Sequence, residues 1–333
     1  MQNMQIFRKA IVIALLCVIL CVAGCGMTPA NGSKTEQLPA ASATIESSGT
    51  PDTPTAPQRQ TLTFLFFSDT QPNPEIGEFS GVGELTRNAV LRAENAELIL
   101  FGGDTVNDGG DESEWLGFSR AIGSSLEGLT IAAAAGNHDN HALLAGKFDL
   151  PDQAPARPGE GYFYTLCIGS VYFVVLDSNT MGAGNQRDVE WLQSALRSEA
   201  ARQADWRVAV MHHPMWSVSD HPRDLQRAET MREYFLPVLE ENDVALILCG
   251  HQHVYTRTVP MRGDAASGSG SGIVQVMAAS GAKAPYPVGE RDFIAVNDIA
   301  PNYLILTADG DSLSITALDG EHKVIDEFII HNS

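Results

Sequence analysis

Five apolar runs in this chain each break off at a side chain that binds metal or moves protons, and that recurrence constrains the fold more than any other feature. FLFFS is followed by Asp69, with Gln71 two residues on, and LILFGG by Asp104. TIAAAA leads into Gly136-Asn137-His138-Asp139, RVAVM into His212-His213-Pro214, and ALILC into Gly250-His251-Gln252-His253. A single aspartate after Phe64-Leu65-Phe66-Phe67 reads as an ordinary turn residue, although desolvating it at the mouth of such a strand is costly. Five endings of this kind share one solution. In layered α/β folds the carboxyl ends of the strands converge on one crevice, and a cation there compensates the gathered carboxylates. Five of the nine histidines fall in these motifs, whereas His141, His221, His322 and His331 look incidental.

The rest of the globular part has the matching alternation. Strand-like stretches are 62–68, 97–102, 129–134, 162–166, 171–177, 206–211, 244–249, 273–279, 303–308, 312–318 and 324–330. Helix-period segments separate several of them, most clearly RDVEWLQSALRSEA, where Val189, Leu192, Leu196 and Ala200 share one face. Alternating strands and helices, then consecutive strands at the end, predict an α/β protein with mixed sheets. GDAASGSGSG at 263–272 reads as a flexible surface loop.

The ends of the chain read differently. Arg8 and Lys9 precede an apolar run from Ala10 to Ala23, too short for a spanning helix and typical of a secretory signal over residues 1–24. VAGC, Val22 to Cys25, resembles a bacterial lipobox, which implies a lipid-modified Cys25 as mature N-terminus; the alternative is an uncleaved anchor. Residues 25–60 are rich in Ser, Thr, Pro, Ala and Gly and read as a disordered tether. The globular domain is therefore expected over 61–333. The expected location is extracytoplasmic, lipid-anchored to a bacterial cell membrane.

Charge narrows the partners. The formal net charge is −20, and loss of residues 1–24, with two basic residues and no acid, takes it to −22. No basic stripe is present, so nucleic-acid binding is not expected. Cys167 and Cys249 lie in apolar runs and are expected to be buried thiols rather than a disulfide.

Asp69-x-Gln71, Gly103-Asp104, GNHD at 136–139, MHHP at 211–214 and GHQH at 250–253 resemble the five blocks of the calcineurin-like metallophosphoesterases. YFYTLCIGSVYFVVLDSN, VAVMHHPMWS and GHQHVYTR are most similar to the purple acid phosphatase branch. The resemblance spans nearly all of 61–333. It implies a four-layer αββα sandwich with two mixed β-sheets and two divalent metal ions (Mn, Fe or Zn) at the strand ends. By the same resemblance Asp104 bridges both ions. Asp69, Gln71 and His253 complete one site; Asn137, His212 and His251 complete the other. A bridging hydroxide would attack phosphorus, His138 would protonate the leaving group and Asp139 would orient or acidify His138. His212 rather than His213 is the expected ligand, from the H-x-P spacing.

Two positions depart from the family pattern. The metal-binding Tyr of the purple branch is replaced by Asn107, so no tyrosinate-to-iron colour is expected. Many relatives carry His where this chain has Gln71, a weaker, oxygen-donating ligand. The expected substrate is a small phosphate ester. Monoester and diester both remain open, because loops 141–160, 214–224 and 281–302 would decide between them. The competing class is a non-catalytic surface lipoprotein with a retained binding fold. A metallo-β-lactamase fold would need an HxHxDH cluster, which this chain lacks.

Overall fold

In the computed structural model, β1 (Leu62–Phe67) is buried on both faces because it lies inside a six-stranded sheet. The described residues are 61–332 except 74, 149, 151–161 and 269–270; the expected signal and tether lie outside them. β1 runs parallel to β2 (Ala96–Phe101), which runs parallel to β3 (Thr130–Ala133). On its other side β1 pairs antiparallel with β13 (Asn302–Ala308), followed by β14 (Ser312–Asp319) and β15 (Val324–His331).

The second sheet has seven strands. β4 (Tyr164–Ile168) is antiparallel to β5 (Val171–Val175), and β5, β6 (Trp206–Val210), β7 (Leu246–Cys249) and β11 (Val274–Met277) are parallel. β8 (Tyr255–Thr258) and β12 (Ile294–Asp298) close the far edge antiparallel. Side-chain alternation along β5 shows how the layers stack. Val171, Phe173 and Val175 join the core shared with the first sheet, where Phe173 meets Phe64 edge-on at 5.1 Å. Tyr172 and Val174 face the opposite way, into a second core with Leu192 and Met231 from the helices Gln186–Leu196 and Pro222–Tyr234. Val82, Leu85 and Phe118, from the helices Ser80–Arg92 and Glu112–Ile122, pack with the first sheet. The expected α/β sandwich with two mixed sheets is the fold observed.

Several local expectations need correction. The strand expected at 162–166 starts at Tyr164, because the Tyr162 N–H donates to the Asp177 carboxylate rather than to a ladder. The helix through 187–200 stops at Leu196 and restarts over Glu199–Gln203, capped by Ser198 Oγ; Ala201, not Ala200, is buried. The expected loop 263–272 contains β10 (Ala265–Ala266), which pairs with β9 (Met261–Arg262), and the 281–302 loop contains β12. Cys249 is buried, but Cys167 is exposed on edge strand β4; both thiols are free.

Seven strands run parallel to a neighbour, and the segments after all of them feed one end of the sandwich. From β1, β2 and β3 come Asp69, Asp104 and Asn137-His138. From β6 and β7 come His212, His251 and His253. β5 and β11 add Asp177 and Lys283.

Candidate metal centre

Asp69, Gln71, Asp104 and His212 are at most 1% exposed, far too buried for isolated charges. Ligand atoms of Asp69, Asp104 and His212 lie within 4.8 Å of one another. His212 Nε2 stands 3.3 Å from Asp104 Oδ2 and 3.2 Å from Asn137 Oδ1. His253 Nε2 stands 3.5 Å from Asp69 Oδ1. Side chains from both expected ligand groups are thus brought together around Asp104.

The three imidazoles are each held through one ring nitrogen, which turns the other toward the centre. His212 Nδ1 lies 2.9 Å from the Gly102 carbonyl and His253 Nδ1 2.9 Å from the Ala284 carbonyl. A carbonyl only accepts, so both Nδ1 atoms carry a proton, and each Nε2 is the atom turned to the centre. His251 is turned the other way: its Nε2 faces Asp224 Oδ1 at 3.2 Å, which leaves Nδ1 for the centre. Such outer partners orient metal-binding histidines and raise their basicity. The oxygen donors are held from the opposite side, by donors. Asp69 accepts from Ser68 Oγ and the His251 N–H, and Asp104 Oδ1 from the His138 N–H.

Two further observations fit a bound cation. The amide of Gln71 donates through Nε2 to the Val106 carbonyl at 3.2 Å, while its buried Oε1 has no hydrogen-bond partner. A buried acceptor of this kind is completed by a donor or a cation brought to it. Asp69, Asp104, His251 and His253 all adopt left-handed backbone, at φ 50°, 52°, 76° and 54°. Strain of this kind persists where surrounding structure enforces it, commonly at functional sites. Gly250 serves the same packing, since a Cβ there would lie 2.1 Å from Asp69 Oδ2.

Electrostatics point the same way. Burial, reinforced by Asp104, pushes Asp69 up to about 7 against the pull of His212. Burial also works against Asp104, but His212 and the His138 N–H outweigh it and hold the carboxyl well below the usual range. Burial lowers His212, yet Asp104 and Asp69 lift it to about 9. The carboxylates thus hold a proton on His212; a divalent ion would take over that charge and release the proton. Burial lowers His253 to about 4, so this ring is neutral and fit to ligate.

Asp139 has a different task from the one expected. Its carboxylate accepts from the backbone N–H groups of Asp104, Thr105 and Gly136 at 2.8, 3.1 and 2.9 Å, tying the β2 and β3 loops together. His138 is oriented instead by the Asn107 carbonyl, 2.6 Å from Nδ1, which leaves Nε2 facing Lys283 Nζ at 3.5 Å. His213 lies beside His212 and His251, but its ring contacts Ser178 Oγ and Arg227. Burial and these cationic neighbours push it well below the ordinary histidine range.

Sequence reading missed Asp177, Asn179, His141 and Asp224. Asp177 closes the β5 run just as Asp69 closes β1, so the same rule would have found it. It accepts from His141 Nδ1 at 3.0 Å, and Asn179 Nδ2 lies 3.1 Å from the Ala135 carbonyl and 3.2 Å from that of Gly136. Together they brace the loop that carries Asn137 and His138, so His141 is not incidental. Asp224 sits in the first turn of a helix and carries no local signal.

A family model for calcineurin-like phosphoesterases matches residues 62–255. The chain belongs to this family. Purple acid phosphatases recur among its relatives: one from Glycine max is 22% identical over 55% of this chain and 42% of its own length. An uncharacterized protein of Mycobacterium tuberculosis is 26% identical over 56% of this chain and 36% of its own. The chain therefore spans only about 36–42% of these curated relatives. A purple acid phosphatase from yellow lupin seeds superposes with a TM-score of 0.66 at 19% identity, over 82% of this chain and 54% of that one. GAP50, described as the anchor in the inner membrane complex of Plasmodium, reaches 0.64 at 15% identity, over 82% and 89%. These neighbours share the sandwich fold, and purple acid phosphatases are among the proteins this chain is similar to.

Proposed function

We propose that this phosphoesterase-family protein hydrolyses small phosphate esters at a pair of divalent metal ions. The observation that carries the reading is the buried Gln71 Oε1 without a partner, beside carboxylates and imidazoles arranged as ligands. Asp104 would hold both ions, with Asp69, Gln71 and His253 on one and Asn137, His212 and His251 on the other. When bound, such ions supply Lewis acidity and an activated water.

The protein's own groups do the rest. The Asn107 carbonyl holds one proton on His138 Nδ1, so Nε2 is the atom that would carry the ring's second proton and pass it to a departing alkoxide. Asp139 keeps the Asp104 and Asn137 loops in register, and the Asp177–His141–Asn179 brace fixes the His138 loop from behind. The Asn107 side chain cannot supply a tyrosinate, so the loaded protein should be colourless. Metal analysis of the purified protein, paired with a phosphate-release screen over monoesters, diesters and nucleotides, tests the reading. About two metal equivalents with turnover support it; metal-replete protein inert on every ester would favour a binding module.

The extracytoplasmic, lipid-anchored location is part of the same proposal and rests on VAGC at 22–25 and the polar composition of 25–60. Mass spectrometry of membrane-extracted protein should find an acylated Cys25 at the N-terminus, absent in Cys25→Ala. An intact Met1 terminus would exclude it.

A further inference from the structure

The segment after β11, Ser280 to Tyr286, is laid directly over the centre and fastened to both sheets. The Ser280 N–H donates to the Ser68 carbonyl and the Ala282 N–H to that of Gln71. On the other side the Ala284 carbonyl accepts from His253 Nδ1, and the Tyr286 N–H donates to the Gln252 carbonyl. Gly281 permits the approach, since a Cβ there would lie 2.3 Å from the Asp69 carbonyl oxygen. The strap therefore has little freedom, and its one charged side chain is placed with it. Lys283 Nζ stands 3.5 Å from His138 Nε2, the nitrogen left for proton transfer.

Three arginines of neighbouring segments are already engaged. Arg227 lies against His213, Arg291 pairs with Asp220 and Arg232 with Asp264. Among the described residues no carboxylate is paired with Lys283, which is half-buried. In a chain of formal charge −20, this ammonium beside the proton-transfer histidine has no carboxylate to compensate it among the described residues. It suits an anion brought from outside. We propose that Lys283 binds the phosphoryl group of the substrate alongside His138 and makes the centre selective for dianionic phosphate monoesters over monoanionic diesters. This rests on the phosphoesterase reading above. The argument is Coulombic: a fixed positive charge in a partly desolvated site attracts a dianion more strongly than a monoanion of the same shape. An ammonium also offers three donors to phosphoryl oxygens without the planar demands of a guanidinium.

The test uses p-nitrophenyl phosphate and methyl p-nitrophenyl phosphate, which share a leaving group and differ by one charge. With the metal-loaded full-length chain, wild type should prefer the monoester. Lys283→Gln should lower kcat/KM for it by about 10-fold or more and for the methyl ester by less than about 3-fold. Lys283→Arg should recover most of the loss. Calorimetry with inorganic phosphate should show a parallel weakening in Lys283→Gln, and this arm decides even if neither ester is turned over. Equal losses on both esters, or unchanged phosphate affinity, would overturn the assignment. Wild type that binds phosphate through Lys283 but hydrolyses nothing would instead count against the catalytic reading alone.

Discussion

The first sheet brings oxygen to the centre, and the second brings nitrogen. Asp69, Gln71, Asp104 and Asn137 follow β1, β2 and β3, whereas His212, His251 and His253 follow β6 and β7. The two sets are also secured in opposite ways. Hydroxyl and backbone N–H donors hold the Asp69 and Asp104 carboxylates, and carbonyls or Asp224 hold the rings. Asp104, Gln71 and the three rings are each held through an atom other than the one turned to the centre, whereas Asp69 accepts through both oxygens. The seam between the sheets is stitched here as well, by the His251 N–H on Asp69 and His212 Nδ1 on the Gly102 carbonyl. Changes on the first sheet should therefore alter charge, and changes on the second should alter tautomer and reach.

The largest effect should come from the one carboxylate that belongs to both ligand groups. Asp104→Asn should lose metal altogether or reduce it to one equivalent, a greater loss than the roughly 10–100-fold typical of an outer partner. Metal analysis after gel filtration checks this. Retention of two equivalents would mean that Asp104 is not the shared ligand.

His138 lies on the oxygen side but is not expected to ligate. His138→Gln should keep both metals and slow turnover by roughly 10²–10⁴. A nitrophenolate ester should suffer less than an alkyl ester, because its leaving group needs little protonation. Equal losses on both would remove His138 from the acid role.

Gln71 sharpens the comparison, since it places an amide where relatives place an imidazole. Its ion should be the more loosely held and should favour Mn²⁺ over Zn²⁺. A mild chelator should strip one equivalent first. Gln71→His should tighten that site towards Zn²⁺ and Gln71→Ala should loosen it, as read by calorimetry. Two equally tight sites, unaltered in Gln71→Ala, would leave Gln71 a turn residue.

The smallest effect is on stability against pH. Burial raises Asp69 to about 7 and Asp139 to about 6, and the carboxylates raise His212 to about 9. A raised group contributes stability that is present below its unfolded pKa and lost as pH climbs through the folded one. Asp104 is shifted downward, and its contribution is lost only on acidification below the ordinary carboxylate range. The Tm of chelator-stripped protein should therefore fall by a few degrees between about pH 6 and pH 9, while the gain on adding metal grows. A stripped protein that becomes more stable across that interval would contradict these directions.

Much of this was open to a reader of the sequence. Apolar strands ending in Asp69, Asp104, Asn137, His212, His251 and His253 report their own positions, because strand polarity and burial are local properties of composition. That a cation is wanted followed from the cost of burying several carboxylates together. What stayed hidden depends on contacts between residues far apart in the chain. Asp139 lies next to His138 in sequence, yet its carboxylate turns away to the Asp104 and Thr105 N–H groups, and the Asn107 carbonyl takes its place. Asp224 reaches His251 from a helix start, and Lys283 reaches His138 from 145 residues away. β8 and β12 are short strands without a strong apolar alternation, and only pairing with β11 and with each other makes them strands. Ligand identity is written in residue type and local pattern. Orientation, tautomer and the placement of charge are set by hydrogen-bond partners that the chain brings together only when it folds.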